Sequence, residues 1–196
     1  MRHSKPMTFL EPKEVLALLR AAKEHSPRAW AMILLAYRHG LRCSEICGLK
    51  LEDLDLKAGQ ITTRRLKGSM TNVQQLDKVQ GQPLLNEPAA IRAYLAVRGE
   101  DPSPYLFVSR KGGRLDRSGF FRLFQAIAAE AGLPPAKRHP HVLKHSRASH
   151  LVAAETNLST VRQVLGHMSP SSTARYIHVT DERASQAARR ADSILF

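Results

Sequence analysis

The chain has 196 residues, 43% of them hydrophobic, which is enough for one sizeable core and lies within the usual single-domain range. Lysine and arginine outnumber aspartate and glutamate by 30 to 17, and the formal charge of +13 favours a polyanionic partner over a generically basic surface. The longest apolar run, Ala29 to Tyr37, is too short to cross a bilayer, and the first residues lack the apolar core of a signal peptide, so we expect a soluble, intracellular protein.

Two long helices are predicted at the start of the chain. Glu11 and Pro12 are typical of a helix cap and a first helical residue, and apolar residues then recur with helical spacing. A second, more apolar helix is predicted from Pro27 to a stop at Gly40. Ser44 is predicted to cap a short third helix, which would place Arg42 in a tight bend between helices.

A small antiparallel sheet is predicted next. Apolar residues alternate between residues 51 and 69 and again in the sequence QPLL, with turn signals at Ala58–Gly59 and Gly68–Ser69. Lys67 falls at or near the second turn. The polar stretch from Met70 to Lys78 is predicted to be the longest irregular loop.

The second half of the sequence returns to helical periodicity, broken by Gly, Pro and Ser. We therefore predict one domain over residues 1–196, mainly α with a small antiparallel β-sheet. The predicted helices of this half are Glu87 to Arg98, Arg117 to Ala131, His141 to Ala154, Ser159 to Gly166 and Ser171 to His178.

Metal-binding signals are weak. Cys43 and Cys47 lie four residues apart with no further cysteine, whereas a structural zinc site needs four ligands at suitable spacing. The nine histidines are scattered and form no H-E-x-x-H motif. We expect no metal or cofactor, and two buried helix cysteines in a reducing compartment.

Four separate stretches carry groups suited to phosphate chemistry: GLRCSE, RRLKGS, HVLKHSRASHL, and LGH followed nine residues after its histidine by a tyrosine. In the third stretch, His141 and Lys144 are three residues apart on a predicted helix, so they share a face that a phosphodiester could meet. The residues of interest are Arg42, Lys67, His141, Lys144, His167 and Tyr176.

In this order and spacing, the motifs resemble those of the catalytic domain of tyrosine recombinases, also called phage-type integrases. The resemblance runs from Phe9 to about Ala191. It implies the fold of that domain and an attack by Tyr176 on a DNA phosphate, without a metal. A free phenol has a pKa of about 10, so Tyr176 would need a base or cationic surroundings to act at neutral pH.

The resemblance also implies roles for the basic groups. Arg42 would grip two phosphate oxygens with its planar fork while Glu45 orients it. Lys67 would protonate the leaving 5′ oxygen. His141 would accept or relay the tyrosine proton or bind a phosphate oxygen, and His167 would donate to another oxygen.

Four neighbouring residues receive supporting roles. His145 is expected to be a packing or supporting residue behind the motif. Arg64, Arg65 and Arg147 are expected to contact DNA, the first two on a basic strand beside Lys67.

The sequence departs from the family pattern at two points. Lys144 stands where a second arginine is usual, and a lysine keeps the charge but loses the bidentate fork. The helical DNA-clamping domain that commonly precedes the catalytic domain is not part of this sequence, so we expect a minimal recombinase or a fragment. Residues 181–196 form an amphipathic tail that either docks on a neighbouring protomer or folds back.

We predict a site-specific DNA recombinase that forms a 3′-phosphotyrosyl intermediate, assembles as a homo-tetramer on double-stranded DNA and can use accessory DNA-bending proteins. We expect a cytoplasmic, nucleoid-associated location in a prokaryote or phage, with a role in a mobile genetic element and no membrane partner. Three alternatives remain: an inactive integrase-like regulator that only binds DNA, a type IB topoisomerase, and a ribonuclease that uses His141 and His167 as acid and base.

Overall fold

The computed structural model describes residues 8–65, 70–109, 111–154 and 156–166, together with Thr173 and Tyr176. Over these residues the helices are α1 (Pro12–His25), α2 (Pro27–Arg38), α3 (Cys43–Ile46), α4 (Glu87–Arg98), α5 (Arg117–Glu130), α6 (His141–Ala153) and α7 (Leu158–Leu165). The strands are β1 (Leu54–Asp55), β2 (Gln60–Thr63), β3 (Asn72–Gln75), β4 (Lys78–Val79) and β5 (Gln82–Asn86). The mainly helical fold with small antiparallel sheets is confirmed.

Helix α2 forms the centre of the main core. Every residue from Ala29 to Tyr37 is buried, as expected for a helix that is apolar on all sides. It packs against α1, α4 and α6. Its start is defined by Ser26, whose hydroxyl accepts a hydrogen bond from the backbone N–H of Ala29 at 3.1 Å.

The bend after α2 brings Arg42 to the start of α3. Gly40 has a φ of +57°, a left-handed conformation that suits glycine and turns the chain. The prediction that Ser44 caps α3 is wrong, because the helix begins at Cys43 with Arg42 at its N-cap. The Glu45 carboxylate, at the third position of the helix, accepts the Arg42 backbone N–H at 2.8 Å and so binds back to the N-cap residue.

The strands form two sheets rather than one. Strands β1, β2 and β3 are antiparallel in that order, and the predicted turn at Ala58–Gly59 joins the first two. The QPLL segment lies in β5, which pairs with β4 in a separate two-stranded sheet. The Gly68–Ser69 turn lies outside the described residues.

The stretch from Met70 to Lys78 is not an irregular loop, because it contains β3. Residues of β3 alternate between partly buried and exposed positions, and three of the four are polar, so the apolar alternation that signals a strand is missing. Pairing with β2 provides its backbone hydrogen bonds instead.

The predicted helices of the second half are confirmed to within one residue at each end from α4 to α7. Of the predicted helix from Ser171 to His178, only Thr173 and Tyr176 lie within the described residues. Besides the main core, α6 and α7 form a small second cluster in which Ala148, Val161, Leu165 and Tyr176 are buried together. None of the described helices is long and apolar enough to cross a membrane.

The α2–α3 bend yields a stability prediction. A Cβ on Gly40 would lie 2.6 Å from Leu165 Cδ2, in addition to the strain of its positive φ. We expect Gly40→Ala to lower the free energy of unfolding, measured by urea titration, by about 3 kcal/mol.

Gly132→Ala is the matched control for this substitution. Gly132 also has a positive φ, of +73°, but a Cβ there would meet no atom within 4 Å. Gly132→Ala should therefore lower the free energy of unfolding only by the cost of its positive φ, about 1 kcal/mol. Equal losses in the two variants would contradict the close packing of the bend against α7.

Candidate active site

The α2–α3 bend holds Arg42 through a short hydrogen-bonded ion pair. Arg42 Nη1 lies 2.7 Å from Glu45 Oε1, and the same carboxylate caps the helix through Oε2. About a third of the Arg42 side chain is exposed, whereas Glu45 is buried. Burial alone would raise the pKa of Glu45, but the Arg42 N–H and the charges of Arg65 and Lys144 together lower it. Glu45 is therefore an ionised support for the guanidinium.

Arg42 and His141 line the same open cleft, which has a volume of about 830 Å³. The cleft lies between α3, the first half of α5 and the start of α6. Its lining residues are Arg42, Cys43, Ser44, Arg117, Ser118, Phe121, Arg122, His139, Pro140 and His141. Two of the predicted catalytic residues, from distant parts of the sequence, thus face one volume large enough for a phosphodiester.

Tyr176 joins this group through α6. The Tyr176 hydroxyl lies 2.7 Å from Nδ1 of His145, and the His145 ring meets the His141 ring edge-on with centroids 4.4 Å apart. The tyrosine ring packs in the small cluster of α6 and α7, and the side chain is 7% exposed. His145 was expected to be a packing or supporting residue, and it is the direct partner of the hydroxyl.

His141 lies in surroundings that favour its neutral imidazole. It is exposed at the edge of the cleft, yet the surrounding walls desolvate its ring and lower its pKa below the usual value. The positive charges of Lys144 and Arg42 lower this pKa further. A neutral imidazole beside Arg42 can accept a proton or donate its N–H to a phosphate oxygen.

Lys144 does not share the exposed face of His141. Its side chain is buried, and its ammonium donates to the carbonyl oxygens of Leu165 at 2.7 Å and Gly40 at 3.0 Å. Burial, followed by the charges of Arg65 and Arg42, lowers the pKa of Lys144 to about 7. The residue that stands in place of the family's second arginine therefore lies behind the cleft.

The three arginines predicted to contact DNA lie in different surroundings. Arg64 is exposed and pairs with the buried Asp53 and the exposed Glu52. Arg65 is buried, with its hydrogen bonds made to protein groups, so the expected exposed strand contact is wrong for its position. Arg147 lies with its guanidinium 5.9 Å from the ring centroid of Tyr37, away from the cleft residues, because its place on α6 faces α2.

Two predicted residues, Lys67 and His167, lie outside the described residues. Three cleft residues were missed: His139, Arg117 and Arg122. The H-P-H spacing around Pro140 and the basic start of α5 were the available signals. Cys43 is half-buried in the cleft rather than fully buried, and the neighbouring Cys47 lowers the pKa of its thiol to about 7.

No group of three or more histidine, cysteine, aspartate or glutamate side chains arranged to hold a metal ion occurs among the residues that the structure describes. The positive charge at the cleft comes from Arg42, Arg117 and Arg122. This arrangement can stabilise a phosphate and deprotonate a nearby phenol.

Comparisons with known proteins identify the family of this chain. The model of the phage integrase family matches residues 8–183. The type 1 fimbriae regulatory protein FimE of Escherichia coli K12 is 34% identical over 187 residues, which cover 92% of this chain and 87% of FimE. The tyrosine recombinase XerA of Pyrococcus furiosus is 35% identical, with 93% of this chain and 61% of XerA covered.

A solved structure has the same fold. The crystal structure of XerA recombinase superposes with a TM-score of 0.78 at 27% identity, covering 97% of this chain. The present chain spans 66% of that XerA chain. This chain therefore belongs to the phage integrase family, and it is a site-specific recombinase of the tyrosine class.

Proposed function

We propose that the chain cleaves one strand of duplex DNA by attack of the Tyr176 hydroxyl on a phosphate, and then rejoins that strand to a partner. The observation that carries this proposal is the hydrogen bond from Tyr176 to His145, next to His141 and the cleft that Arg42 lines. The phenol contacts the first imidazole and that imidazole contacts the second, which lines the same open cleft as the Arg42 guanidinium.

The bonding changes follow from this arrangement. The phenol proton passes to Nδ1 of His145 while the Tyr176 oxygen bonds to phosphorus. The bond from phosphorus to the 5′ oxygen breaks, which leaves a 3′-phosphotyrosyl link and a 5′ hydroxyl. The phosphodiester bond energy is conserved in that link, so rejoining needs no nucleotide cofactor.

Arg42 provides charge stabilisation. Phosphoryl transfer develops negative charge on the non-bridging oxygens, and fixed donors near those oxygens lower the barrier. Arg42 is suited to this role because Glu45 restrains its guanidinium at 2.7 Å while part of the side chain stays exposed to the cleft. His141 would donate to a phosphate oxygen or relay the proton from His145.

Further roles are assigned from the family resemblance. Lys67 would protonate the leaving 5′ oxygen, and His167 would donate to a phosphate oxygen. Arg64 would contact the DNA backbone near Lys67. Lys144 would add positive charge behind the phosphate rather than a bidentate contact, since its ammonium is bound to two carbonyl oxygens.

DNA is the proposed substrate and partner. The solved structure of the site-specific recombinase XerH, bound to a palindromic difH substrate in a post-cleavage complex, has a TM-score of 0.76 and 25% identity to this chain. It covers 94% of this chain, which in turn spans 53% of XerH. The formal charge of +13 also favours a polyanionic substrate.

The proposal extends to assembly. Two strand exchanges require two duplexes and several active sites, so we propose a homo-tetramer on DNA, with residues 181–196 contacting a neighbouring protomer. Accessory DNA-bending proteins would assist, in a cytoplasmic, nucleoid-associated setting. Residues 1–196 would act as one catalytic domain.

The first test is covalent trapping. Duplexes tiled across the DNA that flanks the gene for this chain are nicked, so that the short strand released by cleavage diffuses away and the protein–DNA adduct accumulates. We expect an adduct on a denaturing gel, with the DNA mapped to Tyr176 by peptide mass spectrometry, and no adduct with Tyr176→Phe.

Other outcomes separate the alternatives. Tight DNA binding without an adduct would identify a DNA-binding regulator and contradict the proposal, as would an adduct that survives in Tyr176→Phe. Cleavage of RNA that does not need Tyr176 would favour the ribonuclease. Relaxation of supercoiled DNA without joined recombinant products would favour the topoisomerase.

The second test concerns the proton acceptor. Loss of a general base costs about 10²-fold or more in rate, so His145→Gln should slow adduct formation by about 10²-fold at about pH 7.5. The deficit should shrink as the pH rises towards about 10, the usual phenol pKa, because the solvent then deprotonates Tyr176 without a base. Single-turnover adduct formation at saturating DNA measures both effects.

His150→Gln is the matched control. His150 lies on the same helix, and its Nδ1 is 2.8 Å from the hydroxyl of Tyr37, outside the cleft. This substitution removes the same kind of histidine–tyrosine hydrogen bond and should leave the rate within about twofold. A His145→Gln deficit that is equal at every pH would show that His145 only packs against the tyrosine.

A further inference from the structure

The C-terminal end of α7 is bound by groups from elsewhere in the chain. The last carbonyl groups of a helix have no partner within the helix and need donors from outside. Here these carbonyls, from Gln163 to Gly166, immediately precede His167 in the sequence. Their donors are Asn72 Nδ2 to Gln163, Arg65 Nη2 and Gln74 Nε2 to Val164, Lys144 Nζ to Leu165 and the Met70 N–H to Gly166.

Two of these donors, Arg65 and Lys144, are basic side chains that are buried. The carbonyl end of a helix carries partial negative charge, which positive groups stabilise. Val164 O accepts from Arg65 Nη2, and Leu165 O accepts from Lys144 Nζ, each at 2.7 Å. The carbonyl end of α7 is therefore held by two buried basic side chains.

Arg65 also connects this helix end to the α2–α3 bend. Its Nη2 donates to the carbonyl of His39 at 2.8 Å, and its Nη1 donates to that of Gly40 at 3.1 Å and to Glu45 Oε2 at 3.0 Å. A single planar fork thus bonds three carbonyls, one of them on α7, and the carboxylate of α3. A lysine, with its ammonium at one point, cannot match all of these directions.

Glu45 connects Arg65 to Arg42, because the two arginines bind different oxygens of its carboxylate. Its Oε2 receives Arg65, while its Oε1 receives the Arg42 guanidinium at 2.7 Å. A buried carboxylate is costly unless it is paired and hydrogen-bonded, and Arg65 is the more deeply buried of its two arginine partners. Removing Arg65 would free the carboxylate to shift and would move Arg42 with it.

The α2–α3 bend and the C-terminal end of α7 are closely packed around Arg65. A Cβ on Gly166 would lie 2.8 Å from Arg65 Nε and 3.0 Å from its Cγ. A Cβ on Gly40 would lie 2.6 Å from Leu165 Cδ2. The bend and the α7 end are therefore in direct contact around one guanidinium, so a change at one of them is transmitted to the other.

We propose that Arg65 is a positioning residue for DNA cleavage: through Glu45 and Val164 it holds Arg42 in register with the end of α7, which leads to His167. Lys144 supports the same helix end from the side of α6. This inference rests on the proposed function, because it assigns Arg65 to the reaction of Tyr176. It replaces the DNA contact that the sequence predicted for Arg65.

The test compares Arg65→Met and Arg65→Lys with the native chain on the nicked duplex that gives the native Tyr176 adduct. A misplacement of about 1 Å in an active site costs about 10²-fold in rate, so Arg65→Met should form adduct about 10²-fold more slowly at saturating DNA. Arg65→Lys, which keeps the charge but not the fork, should lose about tenfold. DNA affinity, measured by fluorescence anisotropy, should change less than about threefold in both variants.

Arg98→Met controls for the loss of a buried arginine. The side chain of Arg98 is also deeply buried, with 3% exposed, and it donates to the carbonyls of Ser103, Tyr105 and Leu106, none of which lines the cleft. Arg98→Met should lower the melting temperature but slow cleavage by no more than about twofold, since Arg98 has no link to Arg42. An equal loss of rate in Arg98→Met and Arg65→Met would overturn the proposal.

A double-mutant cycle separates positioning from general destabilisation. If Arg65 acts through Glu45, the loss caused by Arg65→Met should be at least about tenfold smaller in a Glu45→Gln background than in the native chain. Independent, multiplicative losses would overturn the proposal. If circular dichroism shows that Arg65→Met does not fold, the cycle is run with Arg65→Lys instead. Adduct formation by Arg65→Lys at the native rate would then overturn the proposal.

The two proposals fail in different ways. A native chain that forms no adduct on any duplex removes the proposed function and this inference with it. If the native chain forms the Tyr176 adduct and folded Arg65 variants form it at the same rate, the proposed function stands. Only the role of Arg65 is then removed.

Discussion

The structure of the candidate site depends on one buried carboxylate shared by two arginines. Glu45 receives Arg42 at 2.7 Å from the cleft side and Arg65 at 3.0 Å from the interior, and it also caps α3 through the Arg42 N–H. A buried charge is stable only when its partners remain in place. Through Glu45, the buried Arg65 therefore restrains the partly exposed Arg42. Because Glu45 also binds the N-cap of α3, the formation of that helix is coupled to the geometry of the cleft.

The remaining groups are ordered by α6 and α7. His141 and His145 are four residues apart, so α6 presents their rings on one face, and the second ring reaches Tyr176. The tyrosine packs in a small cluster separate from the main core, with its hydroxyl directed at His145. Apolar contacts therefore hold the Tyr176 ring, while its hydroxyl oxygen is hydrogen-bonded to His145, a side chain that can accept a proton. The main core around α2 holds the Arg42 bend, and α6 packs against it.

Local patterns in the sequence were sufficient to predict helices α1, α2 and α4 to α7, the bend at Arg42 and the pairing of Arg42 with Glu45. Each depends on residues within a few positions of one another, where cap chemistry and helical spacing decide the outcome. The family resemblance, which joins distant motifs, led to Arg42, His141 and Tyr176 as a group, and the structure brings them to one region.

The errors concern burial, which local patterns do not determine. Arg65 and Lys144 look like surface cations in sequence, yet both are buried because the carbonyls at the end of α7 and the Glu45 carboxylate provide partners from distant segments. Arg147 turned towards Tyr37 for a similar reason, since its side of α6 faces α2. Strand β3 was missed because its stability comes from pairing with β2 rather than from an apolar pattern. Charge in a sequence indicates what a surface can bind, but tertiary partners decide which charges reach that surface.

The most direct test of the account is the structure of the chain bound covalently to a nicked duplex through Tyr176. The decisive quantity is the distance from the Arg42 guanidinium to a non-bridging oxygen of the phosphate on Tyr176. We expect a charge-assisted hydrogen bond of about 2.7–2.9 Å, with Glu45 still bridging Arg42 and Arg65. A phosphate lying beyond about 4 Å from Arg42, or a Glu45 that has released Arg65 in the bound state, would contradict it.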